Sequence, residues 1–287
     1  MQSFEYVAPA TVEEALGVLA EHGDEAKVLA GGQSLVPLLN YRLAKPRVVV
    51  DVNGLPLDGV RVKTDRLRLG ALTRHATLQE SDEIAGACPV LREAAALIGN
   101  VRVRTLGTVG GSLAHGDPAA ELPMAMVALD ARIGIAGRAG RRTVAARDFF
   151  TGYLTTALAP DELLTEIEIP TTRDMGWAVE EISRRAGDFA IVAVTALIRL
   201  DGRGRVDDAR LAFAGVGPAP VRVPSAEDLL RGAEPTAEST GQAADAARDA
   251  LAPESDVFVS GAYSRFLAGV LARRALTRAV ARAIEVR

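Results

Sequence analysis

The sequence has very few side chains of the kinds that bind metals or form covalent cross-links. Its single cysteine, Cys88, excludes a disulfide scaffold, a CxxC redox pair and an iron–sulfur cluster bound by this chain's own thiolates. The three histidines, His22, His75 and His115, show neither HExxH nor HxH spacing. We therefore predict no metal site on this chain. We interpret His22 and His75 as surface or turn residues and Cys88 as a small packed residue.

Positive charge and long apolar runs are also scarce. With 33 Lys and Arg against 37 Asp and Glu, the formal charge is −4, and aromatic residues make up 4% of the chain. This balance argues against a nucleic-acid-binding protein, which would normally carry a basic surface. The longest apolar stretch, residues 189–198, is shorter than the roughly 18–20 residues of a membrane span and is predicted to be a buried strand. Residues 1–6 lack the features of a signal peptide, and we expect a soluble, cytoplasmic protein.

The hydrophobic and charged residues that are present are those of an ordinary globular protein. They make up 48% and 24% of the 287 residues, enough for a buried core in one large or two to three small domains. The strand and helix patterns predict an α+β fold with units at residues 1–55, 56–175 and 176–287. The first unit is predicted as β-α-β-loop-α-β and the second contains two hairpins. The third has three strands and then three helices, with one face of its sheet covered.

A pair of glycines separates a predicted buried strand, residues 26–30, from a predicted helix, residues 35–43. The residues are Ala30-Gly31-Gly32-Gln33-Ser34-Leu35, called here the first glycine turn. Adjacent glycines let the main chain turn sharply with N–H groups unpaired, and a large anion approaches closely where Cβ atoms are missing. The positive end of the next helix favours a pyrophosphate. The spacing is neither GxxxxGK[ST] nor GxGxxG, and a simple strand–helix turn stays open as an alternative.

A second glycine pair lies further along the chain. Thr108-Val109-Gly110-Gly111-Ser112, called here the second glycine segment, offers paired glycines with a hydroxyl group on each side. Such neutral donors bind phosphate or polyol oxygens without Lys or Arg. Asp117 and Glu121 follow as acceptors suited to ribose or ribityl hydroxyl groups. A single segment of this kind also fits a plain surface loop, but two of them favour one extended diphosphate ligand.

The two glycine motifs resemble those of the FAD-binding medium subunits of the molybdenum hydroxylases (the xanthine dehydrogenase family), most closely the carbon monoxide dehydrogenase type. The similarity continues along the chain in Arg42-Leu43-Ala44-Lys45-Pro46, Asp117-Pro118-Ala119-Ala120, Asp161-Glu162-Leu163-Leu164-Thr165-Glu166-Ile167, Arg184-Arg185-Ala186-Gly187-Asp188-Phe189-Ala190 and Tyr263-Ser264-Arg265. The resemblance implies a two-subdomain FAD-binding fold of the PCMH/VAO-like type, with subdomains at 1–55 and 56–175. A C-terminal α+β domain follows at 176–287.

The resemblance also implies roles for individual residues. Both motifs would wrap the FAD pyrophosphate, through Ala30, Gly31, Gly32, Gln33, Ser34 and Leu35 and through Thr108, Val109, Gly110, Gly111 and Ser112. Ile98 would lie by the adenine and Leu164 near the flavin. Three positions depart from the family pattern. Glu121 stands where relatives have an aspartate facing FAD hydroxyls, Gln33 where they have histidine or threonine, and Phe189 where they have a tyrosine against the isoalloxazine.

An electron-transfer subunit is the function that the resemblance implies. FAD would be this chain's cofactor, while a molybdopterin cofactor and [2Fe–2S] clusters would belong to a large and a small partner subunit, assembled as a dimer of heterotrimers. Electrons would pass from the clusters through FAD to an external acceptor. The substrate would be oxidised on the large subunit, so no catalytic residue is assigned here. A role in electron transfer alone agrees with two features of the sequence: it lacks the cysteines needed to bind an iron–sulfur cluster, and it shows no evident general base for a substrate.

Two alternatives use the same motifs. A self-contained flavin-dependent oxidoreductase, acting on its own small organic substrate, would need an acid or base beside the flavin, and the motifs show none. A module that binds a phosphate ligand and has lost flavin would stay colourless after addition of FAD. Turnover of a small substrate by the isolated chain favours the first alternative, and a missing flavin spectrum favours the second.

Overall fold

The computed structural model describes residues 3–287, so Met1 and Gln2, at the start of predicted subdomain 1–55, lie outside the described residues. These described residues form four β-sheets with helices packed on them. The predicted α+β class is confirmed. The domain ranges 1–55, 56–175 and 176–287 stay a prediction.

A small parallel sheet comes first in the chain. Its strands are β1 (Glu5–Val7), β2 (Ala26–Leu29) and β3 (Val48–Asp51), connected by α1 (Val12–His22) and α2 (Leu35–Asn40). The spatial order is β1-β3-β2, and the valines of β3 are buried because this central strand is covered on both sides. Thr11 begins α1 by accepting a hydrogen bond from the Glu14 N–H at 3.1 Å. The carboxyl end of β2 leads directly into the first glycine turn.

The second sheet has five antiparallel strands and contains both predicted hairpins. Its strands are β4 (Val60–Val62), β5 (Arg66–Gly70), β6 (Arg132–Gly137), β7 (Gly140–Ala145) and, after a small hairpin of β8 (Phe150–Gly152) and β9 (Thr155–Thr156), β10 (Leu163–Pro170). The spatial order is β4-β5-β10-β6-β7. The helices of this part are α3 (His75–Glu80), α4 (Asp82–Ala87), α5 (Pro89–Leu97), α6 (Val101–Leu106), α7 (Val109–His115), α8 (Glu121–Ala128) and α9 (Ala146–Phe149). The short helices α3, α4 and α6 were not predicted.

The third sheet is antiparallel, and its three long strands and three helices are those predicted. Its elements are β11 (Gly176–Ser183), β12 (Ala190–Leu200), β13 (Val206–Ala214), β14 (Val221–Arg222), α10 (Pro224–Leu230), α11 (Ala237–Ala250) and α12 (Gly261–Glu285). The prediction that one face of this sheet is covered is wrong. Val192 and Val194 of β12 pack in the C-terminal core with α12, whereas Ala193 and Leu197 pack in the central core with α8. Burial of both faces explains the continuous apolar run of β12.

Candidate functional site

The first glycine turn joins β2 to α2. Gly32 has φ = +70°, a backbone conformation that glycine adopts without strain. Within the described residues, none of the five backbone N–H groups at residues 31–35 donates a hydrogen bond. Successive unpaired N–H groups in a turn form a concave anion-binding surface, called a nest. All of these residues are partly exposed, so a ligand has access to the donors.

Two side chains fix the orientation of this turn. The Asn53 side-chain N–H donates to the Ala30 carbonyl oxygen at 2.8 Å, and that of Gln33 donates to the Gly31 carbonyl oxygen at 2.9 Å. In a trans peptide group the carbonyl and the following N–H point in opposite directions. The N–H groups of Gly31 and Gly32 therefore point away from the amides that hold the preceding carbonyls. Gln33, expected at the cofactor, uses its amide inside the turn.

The second glycine segment is the beginning of α7 and not the open loop that its sequence suggests. Thr108 precedes the helix, and its hydroxyl oxygen accepts a hydrogen bond from the Gly111 N–H at 3.1 Å. The N–H groups of Val109 and Gly110 donate to carbonyl oxygens within residues 71–73, at 2.9 and 2.8 Å. The N–H groups of both glycines are thus engaged inside the protein.

Close packing, and not a ligand, requires the glycine at position 110. A Cβ atom on Gly110 would lie 2.7 Å from the Cβ atom of Ala71 and 2.8 Å from its carbonyl oxygen. Two groups of this segment have no hydrogen-bond partner among residues 3–287, namely the Thr108 N–H and the Ser112 hydroxyl. These are the donors that the segment offers to a ligand.

The structure brings the two motifs into direct contact. A Cβ atom on Gly31 would lie 2.8 Å from the Cα atom of Gly107 and would also collide with the Leu106 carbonyl oxygen. A Cβ atom on Gly111 would lie 3.8 Å from the Cβ atom of Ala30. The free donors of the first glycine turn and those of Thr108 and Ser112 therefore belong to neighbouring stretches of backbone.

Side chains remote in sequence surround this contact, and no sequence pattern predicts them. The Arg74 guanidinium donates to the Leu106 carbonyl oxygen at 2.5 Å and to Asn53 Oδ1 at 2.8 Å. Neither Arg74 nor Asn53 lies in a recognisable motif. Arg74 lies four residues after the end of β5, and Asn53 lies two residues after the end of β3. Only the tertiary structure shows that they meet.

The prediction that His75 is a surface or turn residue is wrong. It is the first residue of α3 and is 5% exposed, and its Nε2 atom lies 2.9 Å from the Thr108 carbonyl oxygen. A Cβ atom on Gly107 would touch the imidazole at 2.9 Å. Burial lowers the pKa of His75 to about 4. The positive charge of Arg104 also lowers this pKa, whereas the hydrogen bond to Thr108 raises it.

Glu121, expected at FAD hydroxyl groups, begins α8 and is 4% exposed. Burial and the charges of Glu181 and Asp117 raise the pKa of its carboxyl group to about 7. Glu181 on β11 was not predicted, and burial raises its pKa to about 7 as well. One oxygen of Glu181 is buried without a hydrogen-bond partner in the described residues. Asp117 Oδ1 accepts a hydrogen bond from the Ala119 N–H at 2.9 Å.

The other expected site residues are distributed between core and surface. Ile98, Leu164 and Val109 are buried in the central core, whereas the ring of Phe189 is 60% exposed. The loop before Phe189 reaches the residue that follows Ile98, since a Cβ atom on Gly187 would lie 3.0 Å from the carbonyl oxygen of Gly99. The backbone segments next to Ile98 and Phe189 are thus in contact, and Leu164 lies in the same core as Val109 of the second glycine segment.

No group of three or more His, Cys, Asp or Glu side chains in residues 3–287 is arranged to hold a metal ion. Cys88 is fully buried, and burial raises the pKa of its thiol to about 12, as expected of a packed and unreactive residue. None of the helices in this part of the chain is long and apolar enough to span a membrane.

Comparison with known protein families covers nearly the whole chain. A model described as the FAD binding domain in molybdopterin dehydrogenase matches residues 2–172, and one described as the CO dehydrogenase flavoprotein C-terminal domain matches residues 177–279. The chain is 39% identical to the 6-hydroxypseudooxynicotine dehydrogenase complex subunit alpha of Paenarthrobacter nicotinovorans, over 98% of this chain and 96% of that protein.

Solved structures show the same similarity. Carbon monoxide dehydrogenase from Hydrogenophaga pseudoflava, in a form that lacks the Mo-pyranopterin moiety of its molybdenum cofactor, matches with a TM-score of 0.95 and 38% identity, over 98% of each chain. Quinoline 2-oxidoreductase from Pseudomonas putida 86 matches with a TM-score of 0.94 and 35% identity, over 99% of each chain. The similarity therefore includes both glycine motifs and the C-terminal sheet.

Proposed function

The chain belongs to the FAD-binding medium subunits of the molybdenum hydroxylase (xanthine dehydrogenase) family, and from this premise we propose that it relays electrons from [2Fe–2S] clusters of a partner subunit to an external acceptor. Bound FAD would supply the redox chemistry of this relay. The chain's own residues bind and orient the cofactor. In the proposed assembly, a large subunit carries the molybdopterin cofactor, a small subunit carries the clusters, and two such heterotrimers associate.

The nest in the first glycine turn is the observation that carries the proposal. Five successive N–H groups at residues 31–35 are free, and they lie beside the free Thr108 N–H and Ser112 hydroxyl. A diphosphate has oxygens on two phosphorus atoms, which suits donors on two neighbouring stretches of backbone. The residues present therefore fit the diphosphate of FAD, and we assign its binding to residues 31–35, Thr108 and Ser112.

The remaining site residues receive roles in the same proposal. The carboxyl group of Glu121 accepts a hydrogen bond from a hydroxyl group of FAD, with Asp117 beside it. The exposed ring of Phe189 offers an aromatic face to the isoalloxazine. Ile98 and Leu164 are expected to form apolar walls near the adenine and the flavin, and Gln33 holds the turn from inside.

Cofactor titration tests the diphosphate assignment. The apo-form of the full chain is titrated with FAD, FMN and ADP, and the dissociation constants are measured by flavin fluorescence and calorimetry. We expect FAD to bind much more tightly than FMN, because FMN has no diphosphate, and ADP to bind measurably. Equal affinity for FMN and FAD, or no binding of FAD, contradicts the assignment.

The relay is tested with the complex purified from its native host. In the complex depleted of FAD, substrate is expected to reduce the [2Fe–2S] clusters, seen by electron paramagnetic resonance, while reduction of the external acceptor stops until FAD is restored. Acceptor reduction at an unchanged rate without FAD contradicts the relay. Steady turnover of a small substrate by the isolated FAD-loaded chain would instead favour a self-contained oxidoreductase.

A further inference from the structure

The two glycine motifs belong to different sheets. The first glycine turn extends β2 of the three-stranded sheet, whereas the second glycine segment is hydrogen-bonded to residues 71–75, which follow β5 of the five-stranded sheet. Among residues 3–287, no strand pairing joins these two sheets. A ligand that binds both motifs therefore depends on the contacts that hold one sheet against the other.

Arg74 lies at this joint. Its backbone forms an isolated antiparallel bridge with Thr108. One hydrogen bond of its guanidinium goes to the Leu106 carbonyl oxygen at 2.5 Å, and another goes to Asn53 Oδ1 at 2.8 Å. Hydrogen bonds of the neighbouring residues Thr73 and His75 thus hold the Arg74 backbone opposite Thr108. Its guanidinium reaches Leu106, two residues before the second glycine segment, and Asn53, two residues after β3 of the other sheet.

Asn53 completes the connection to the first glycine turn. Its amide N–H donates to the Ala30 carbonyl oxygen at 2.8 Å and to Asp51 Oδ1 at 2.7 Å. A continuous path of three hydrogen bonds therefore runs from Ala30 through Asn53 and Arg74 to Leu106. One end is the carbonyl oxygen of Ala30 in the first glycine turn, and the other is that of Leu106, two residues before the second glycine segment.

We propose that Asn53 and Arg74 form a clamp that holds the nest at residues 31–35 against the second glycine segment and thereby sets the affinity for the cofactor's diphosphate. Both are positioning residues and act through the backbone they hold. This inference rests on the proposed function, since the diphosphate is taken to be that of FAD.

The clamp is expected to affect binding more than folding. Asn53 is exposed and Arg74 is partly exposed, and hydrogen bonds in contact with water contribute modestly to the free energy of unfolding. Without the clamp, the first glycine turn has more conformational freedom before it binds a ligand. The ligand must then order the turn, which lowers its affinity.

The chemistry of the clamp requires arginine. Arg74 reaches two acceptors with a planar guanidinium, and lysine presents a single ammonium group that does not reproduce this geometry. Arg47 provides a matched control. It directly precedes β3, whereas Asn53 lies beyond the other end of that strand. Its side chain pairs with Glu25 at 2.9 Å on the surface.

The test measures dissociation constants of FAD and ADP for the apo-form of the full chain and for the variants Arg74→Gln, Arg74→Lys, Asn53→Ala, the double variant Arg74→Gln/Asn53→Ala, and Arg47→Gln. We expect Arg74→Gln to raise the Kd about tenfold for FAD and by the same factor for ADP, with the melting temperature almost unchanged. Arg74→Lys is expected to be intermediate and Arg47→Gln to match the wild type. Because the two clamp residues share a hydrogen bond, the double variant should resemble Arg74→Gln alone.

If Arg74→Gln binds FAD with the wild-type Kd, the clamp proposal is overturned. It is also overturned if the fold-increase in Kd of the double variant equals the product of the fold-increases of Arg74→Gln and Asn53→Ala. A lower affinity for FAD with an unchanged affinity for ADP also overturns the proposal, because the substitution would then not affect binding of the diphosphate that both ligands share. If the wild type binds neither FAD nor ADP, the proposed function fails. Backbone order parameters measured by NMR then test separately whether Arg74 and Asn53 hold the first glycine turn in place. Lower order parameters of Gly31 and Gly32 in Arg74→Gln support it, and unchanged ones overturn it.

Discussion

In the first glycine turn, five successive N–H groups have no partner among the described residues, whereas in the second glycine segment the N–H groups of Val109, Gly110 and Gly111 are all engaged. The difference comes from the neighbouring backbone. The carbonyl oxygens of residues 71 and 73 accept from Gly110 and Val109, and Thr108 Oγ1 accepts from Gly111, whereas the backbone of residues 106–107, which packs against the first turn, accepts no hydrogen bond from it within residues 3–287. One motif is therefore a donor surface for a ligand, and the other is mainly a packing and joining element.

Two buried titratable groups, His75 beside the second segment and Glu121 at the start of α8, should make the stability of the protein depend on pH. His75 lies against Thr108 and Gly107 of the second segment. Because its pKa is lowered from 6.5 to about 4, the unfolded chain binds a proton that the folded chain does not bind between these pH values. The contribution of His75 to the free energy of unfolding should fall by about 3 kcal/mol as the pH drops from about 6.5 to about 4. Urea unfolding of the His75→Phe variant should lack this fall, and an identical pH profile in variant and wild type would contradict the assignment.

Glu121 is expected to act in the opposite direction. Its pKa is raised from 4.5 to about 7, so the folded chain keeps a proton that the unfolded chain releases. The contribution of Glu121 to the free energy of unfolding should therefore fall by about 3 kcal/mol as the pH rises from about 4.5 to about 7. In the wild type this slope opposes that of His75. Glu121→Gln should unmask the acid sensitivity that His75 causes, and a variant profile flatter than that of the wild type would contradict this account.

Alanine substitutions in the two motifs should have different consequences. Gly110→Ala inserts a methyl group against Ala71 and should lower the free energy of unfolding of the apo-protein by about 1–3 kcal/mol. Gly32→Ala places alanine at φ = +70° and should cost about 1 kcal/mol of stability while it weakens FAD binding. Calorimetry of each apo-variant and FAD titration provide both quantities. If Gly110→Ala spares stability and Gly32→Ala spares FAD affinity, the proposed division between the motifs is wrong.

The two free hydroxyl groups should show the smallest effects. Ser34→Ala and Ser112→Ala each remove one neutral donor, and each is expected to raise the Kd for FAD about three- to tenfold with no change in apo-protein stability. Thr64→Ala, in the exposed connection between β4 and β5, serves as a control for the loss of a hydroxyl group. Wild-type affinity in both serine variants would remove the hydroxyl groups from the proposed site.

Local sequence patterns predicted the parts of the site that depend on local chemistry. The strand, the glycine pair and the helix of the first turn follow one another in the chain, so their pattern is visible in a short window. The second glycine pair looks equally open in sequence, but the Gly110 N–H donates to the Ala71 carbonyl oxygen and the Gly111 N–H to Thr108 Oγ1, and no local pattern reveals the contact with Ala71. Asn53, Arg74 and Glu181 were missed for the same reason, since each reaches the site only through tertiary structure.

The most direct test of the account is amide hydrogen exchange at residues 31–35, measured by NMR with and without FAD. The five N–H groups are free in the structure and should exchange rapidly in the apo-protein. On addition of FAD they should become protected, whereas the N–H groups of Gly110 and Gly111, already engaged, should change little. Tight binding of FAD with no protection at residues 31–35 would contradict the central claim.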